Sequence, residues 1–111
     1  LWTSIDSLPP APQGLRLEAA VARPSKIVCI GLNYVEHVQE TGAKQLDEPL
    51  IFTKASTALC SVNDPLVIPR GSTKMDYEVE LAFVVGRRAK YIPESEALNY
   101  IAGYGVMNDY S

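Results

Sequence analysis

Glu78 and Glu80 are carboxylates separated by a single residue, and that spacing is the first sign of chemistry in this sequence. From Asp76 to Val85 the apolar residues Tyr77, Val79 and Leu81 alternate with Glu78, Glu80 and Ala82, a period of two that predicts a β-strand. Residues i and i+2 of a strand project from the same face about 6.5 Å apart, so both glutamates share one side. One face of an antiparallel sheet is often simply solvated, and that is the plain alternative. Against it, Asp76, Glu78 and Glu80 form an unbroken acidic row beside a strongly apolar continuation, and a cation would relieve the repulsion along it. Asp109 offers a third ligand, because it follows a glycine-punctuated strand at whose end a polar side chain can turn into a cleft. Three carboxylates with no paired Cys or His favour a hard cation; Mg2+ fits best, and Mn2+ or Ca2+ also suit such a set.

His37 is the sole histidine, placed three residues before Glu40 in a stretch with helical spacing. A histidine beside a carboxylate is the usual make-up of a general base, and a dyad of this kind contributes about 10²- to 10⁴-fold to rate. The alternative is an incidental i,i+3 pair on a surface helix.

The elements that must position these residues are short. Pro9, Pro10, Pro12 and Pro24 bar a long helix or central strand from residues 1–25, which read as a lead-in with one short strand through Leu15, Leu17 and Val21. Ile27 to Ile30, closed by Gly31, predicts a buried strand, and Tyr34, Val35 and Val38 predict a short helix stopped by Gly42. Leu50 to Phe52 is a further strand, Ala55 to Asn63 a loop, and Leu66 to Ile68 an edge strand between Pro65 and Pro69. After the acidic strand, Pro93 to Asn99 predicts a short helix and Ile101 to Met107 a returning strand. The sum is a β-rich α+β chain.

Composition agrees with one globular domain or part of one: 111 residues, 47% hydrophobic. Ten basic against 13 acidic residues give a net charge of -3 with no long block of either sign, which argues against nucleic acid or a membrane surface as partner. No apolar run approaches the roughly 20 residues that span a bilayer. Cys29 and Cys60 lack metal-ligand spacing and read as small core hydrophobes in a reducing compartment. The sequence shows no charged leader with an apolar stretch and stops at Ser111 directly after Asn108-Asp109, so it reads as a segment of a longer polypeptide.

Taken in order, Gly31-Leu32-Asn33-Tyr34 with His37 and Glu40, then Pro49, Ile51-Phe52 and Lys54, then Asp76-Tyr77-Glu78-Val79-Glu80-Leu81, then Ala102-Gly103-Tyr104 and Asn108-Asp109, resemble the fumarylacetoacetate hydrolase superfamily. The likeness runs from about Lys26 to Ser111. It implies a predominantly β, α+β catalytic domain, a mixed β-sheet roll, with residues 26–111 as its N-terminal part after the lead-in 1–25. It further implies that Glu78, Glu80 and Asp109 ligate Mg2+ or Mn2+, that His37 and Glu40 activate water, and that Tyr34 borders the cleft. Lys54 would hold a substrate carboxylate or serve a structural role. A further lysine and glycine-rich segments beyond Ser111 would complete the site. The implied activity is hydrolysis of a C–C bond in a small diketo acid of acylpyruvate or fumarylacetoacetate type through a chelated enolate. Isomerisation or decarboxylation of a related 2-oxo dioic acid is the close alternative, and a non-catalytic oxo-acid binder a more distant one. A cytoplasmic homodimer is the expected setting.

Overall fold

The computed structural model describes residues 6–111, so the first residues of the proline-rich lead-in lie outside it. It divides into two compact units, Leu1–Pro65 and Leu66–Ser111, each described by itself.

In the first unit, β1 (Ile27–Gly31) pairs antiparallel with β2 (Leu50–Lys54), in a register that sets Ile27 opposite Lys54 and Gly31 opposite Leu50. Between them runs α1 (Val35–Thr41), which buries Val38. The helix ends where the sequence placed its stop. Gly42 takes φ 65, a left-handed conformation that costs glycine nothing, and the Gly42 and Ala43 N–H groups close on the carbonyls of Gln39 and Val38. A single 3-10 turn, Ser56–Ala58, interrupts the loop that follows β2.

The second unit is one long hairpin. β3 (Val79–Val85) pairs antiparallel with β4 (Ile101–Asn108), Val79 opposite Asn108 and Leu81 opposite Val106. The connection contains a 3-10 helix, Glu94–Tyr100, entered through Pro93. At the turn end the ladder slips: Val84 faces Gly103 while Val85 faces Ile101, leaving Ala102 as the extra residue of a bulge. Gly86 makes this possible, since a β-carbon there would lie 2.7 Å from that of Ala102. The Arg87 guanidinium sits 4.2 Å from the centre of the Tyr100 ring and closes the same corner.

Several expectations are corrected. Leu15 and Leu17 form no strand; they are 62% and 64% exposed, and the segment is held from the side. The Ser61 hydroxyl donates to the Leu17 carbonyl, and Arg16 pairs with Asp64 and, at 3.3 Å, with Glu18. Leu66 to Ile68 is likewise unladdered, because an apolar triplet flanked by two prolines has lost the flanking N–H donors a ladder needs. Pro93 to Asn99 forms a 3-10 rather than an α-helix, shifted to Glu94–Tyr100. Cys60 is exposed rather than in a core, whereas Cys29 in β1 is half-buried.

The fold is therefore a mixture of short helices with two small antiparallel sheets. A mixed-sheet roll is a larger assembly than these four strands make. Val38 and Ser61 are the buried residues among those described, and no described helix is long and apolar enough to cross a membrane.

Candidate functional site

The ladder between β3 and β4 does not stop at Val79 and Asn108. The Asp109 N–H donates to the Glu78 carbonyl at 2.7 Å, and Asp76 and Ser111 exchange both of their backbone bonds, at 2.9 and 3.3 Å. Antiparallel pairing thus continues in register past the strand ends, which sets Asp109 directly across from Glu78 and Ser111 across from Asp76. Directly opposed residues lie on the same face with β-carbons about 5 Å apart. Glu80, two residues along β3, shares that face, so the backbone brings Glu78, Glu80 and Asp109 to one patch of sheet surface. Glu80 and Asp109 are half-buried and Glu78 is exposed.

Asp76 leaves the row in a different way. Its carboxylate accepts the N–H of Tyr77 at 2.8 Å and is turned onto its own backbone. The acidic row seen in the sequence thereby reduces to the two glutamates, with Asp109 as their cross-strand neighbour.

The patch suits a divalent ion in the chemistry of its donors and in the backbone register that sets them on one face. The donors are all carboxylates, and three of them stand on one face of two adjacent strands. The side-chain oxygens are not drawn together: among the described residues, no group of three or more His, Cys, Asp or Glu is gathered as a metal cage.

The other candidate residues lie in the first unit. His37 and Glu40 are on α1, one turn apart and both exposed, and among the described residues no hydrogen bond or ion pair joins their side chains. The helix turn that carries them is fastened by the Thr41 hydroxyl, which donates to the His37 carbonyl at 2.8 Å. Tyr34 is the residue before the helix, with an extended backbone, and its carbonyl accepts the Val38 N–H at 3.1 Å. Just ahead of it Leu32 holds φ 53, a left-handed conformation that is uncommon for a leucine and aims the chain from β1 into α1. Lys54 ends β2 and is half-buried. An open hollow beside this turn is lined by Ile30, Leu32, Asn33, Asp47 and Glu48.

One residue entered the sequence reading only as half of the Asn108-Asp109 motif, with no role of its own. Asn108 stands next to Asp109, and its side-chain carbonyl accepts the Glu78 N–H at 3.0 Å. The signal for its role was its type, an amide at the end of a strand, where asparagine is disfavoured unless it bonds backbone.

Residues 26–111 match the sequence profile described as Fumarylacetoacetate (FAA) hydrolase C-terminal. The chain belongs to the fumarylacetoacetate hydrolase family. Its relatives include a fumarylacetoacetate hydrolase domain-containing protein 2 homolog of Dictyostelium discoideum, 49% identical over 92 residues that make up 83% of this chain and 30% of that protein. A Burkholderia ambifaria protein named "Putative hydrolase" is 46% identical over 96 residues, 86% of this chain and 34% of its own. Among solved structures, a 5-carboxymethyl-2-hydroxymuconate delta-isomerase from Mycobacterium smegmatis superposes with a TM-score of 0.73 at 38% identity, covering 86% of this chain and 38% of that one. A fumarylacetoacetate hydrolase family protein from Yersinia pestis does so equally well, TM-score 0.73 at 38% identity, covering 82% and 42%. The chain spans about a third of the length of the curated relatives it matches. The names of these relatives are of hydrolase and isomerase type.

Proposed function

We propose that the whole protein is a divalent-metal-dependent hydrolase that cleaves a C–C bond in a small diketo acid of acylpyruvate or fumarylacetoacetate type. The observation that carries this reading is the register that sets Asp109 across from Glu78 with Glu80 on the same face. Glu78, Glu80 and Asp109 would hold Mg2+ or Mn2+, and Ca2+ is a further option. Three carboxylates leave coordination positions open, and a bound ion supplies charge stabilisation for an enolate oxygen. His37, oriented by Glu40, takes a proton from water as its oxygen bonds to the distal carbonyl carbon. The C–C bond then breaks with its electron pair passing to the enolate, and the proton held by His37 returns to that carbon. Tyr34 borders the substrate, and Lys54 pairs with its carboxylate. The two strand pairs would be parts of a mixed-sheet roll, with residues 26–111 as the N-terminal part of the catalytic domain, in a cytoplasmic homodimer.

Isomerisation is the second reading, favoured by the likeness to the Mycobacterium smegmatis isomerase. It uses the same enolate without attack by water. The full-length protein with Mg2+, offered acylpyruvate and a 2-hydroxymuconate-type diene in parallel, separates the two. His37→Ala is expected to lower acylpyruvate turnover by about 10²- to 10⁴-fold with metal binding intact. Unchanged turnover would remove His37 from the mechanism.

A further inference from the structure

In a regular antiparallel ladder, a hydrogen-bonded residue pair exchanges both of its N–H to carbonyl bonds. Asp76 and Ser111 obey this. Glu78 and Asp109, two residues along, are the next such pair, and they keep only the first rung, from Asp109 N–H to the Glu78 carbonyl at 2.7 Å. The second rung is made by a side chain, since the Glu78 N–H donates to Asn108 Oδ1 at 3.0 Å. Alternation puts Asn108 on the opposite face of β4 from Asp109, so its amide serves as a brace at the sheet edge and not as a fourth donor to an ion on the carboxylate face.

We infer that Asn108 is a positioning residue for the carboxylate set: its amide oxygen fixes the backbone of Glu78, and through it the spacing of Glu78 against Asp109 across the two strands. The inference rests on the metal reading above. It follows from where the restraint acts. Both backbone bonds at this pair converge on Glu78, one at its carbonyl and one at its N–H, so its peptide planes are held on either side of the α-carbon that carries the carboxylate. Without the amide, the strand end past Val79 would hang on one rung to Asp109 and the pair at Asp76, and Glu78 would be free to turn its carboxylate off the face. Partners of this kind, which orient a ligand without touching the ion, are worth about 10- to 100-fold in metal affinity.

The test is calorimetric titration of the full-length protein with Mn2+. Asn108→Ala is expected to weaken Mn2+ binding by about 10- to 100-fold, and Asn108→Asp, which keeps an acceptor oxygen at the same reach, to restore affinity to within about threefold of wild type. Asn108→Ser, whose hydroxyl is too short to reach the Glu78 N–H, gives the same loss and serves where the alanine variant does not fold. A brace with a merely structural role would lower the melting temperature in excess EDTA while leaving Mn2+ affinity unchanged, and that result overturns the inference alone. A wild-type protein that takes up no Mn2+ overturns the metal reading, and this inference with it.

Discussion

Removing one carboxylate from the β3 row should act in opposite directions on the metal-free and metal-loaded protein. Glu80 is half-buried and stands on the same face as Glu78 and Asp109, so its charge is opposed by two neighbours. Glu80→Gln is expected to raise the stability of the metal-free, full-length protein by about 0.2–1 kcal/mol, the usual size of a relieved cross-strand repulsion. The same change should cut the stabilisation given by excess Mn2+, which depends on occupancy through the binding constant. Thermal melts with EDTA and with Mn2+ check both signs, and a solvated, non-binding face would show the first effect without the second. The pairing of Glu78 with Glu80 was legible in the sequence because period two is a local property of one strand. That Asp109 faces Glu78 was not, since register between residues this far apart in sequence is set by the whole hairpin. The role of Asn108 was further out of reach, because it exists only where the ladder exchanges a backbone rung for an amide.

The elements fall into two groups by the same logic. The strand Ile27–Gly31, the helix Val35–Thr41 with its stop at Gly42, and the hairpin strands all carried a repeat or a breaker that acts within a few residues. Leu15 to Leu17 and Leu66 to Ile68 had apolar residues in strand-like order but no partner to pair with, and a strand is defined by its partner. At Gly86 the bulge makes a sharp prediction. A β-carbon there would lie 2.7 Å from the Ala102 β-carbon and 3.2 Å from its backbone. Gly86→Ala should therefore push the bulge open and destabilise the full-length protein by about 1–3 kcal/mol, as overpacking of a close approach does. Denaturant midpoints measure this, and a neutral result would mean that the turn relaxes freely.

For the molecule as a whole, the covering of the sheets is the open matter. Among the described residues the buried set is Val38 and Ser61, while Leu81 and Val79 are each 65% exposed and Val106 is 83% exposed. A hairpin with an apolar face needs a third strand or a packed layer to be stable by itself. Residues 1–111 produced alone should therefore bind a dye for apolar surface strongly and melt without a cooperative transition, whereas the full-length protein should do neither. A sharp calorimetric peak from residues 1–111 would show that they bury a sufficient core without further residues.

Past Glu80, the face that carries the carboxylates continues through Ala82 and Val84, opposite Gly105 and Gly103. Unlike Gly86, a β-carbon built at Gly103 or Gly105 meets nothing within 4 Å, and neither glycine has a positive φ. Nothing inside the hairpin forbids an alanine at either position. These two glycines consequently act as a depth gauge: a steric penalty for an alanine at either must be exerted by whatever lies over this face, and Gly103→Ala and Gly105→Ala would measure the headroom beside the carboxylates from within the protein.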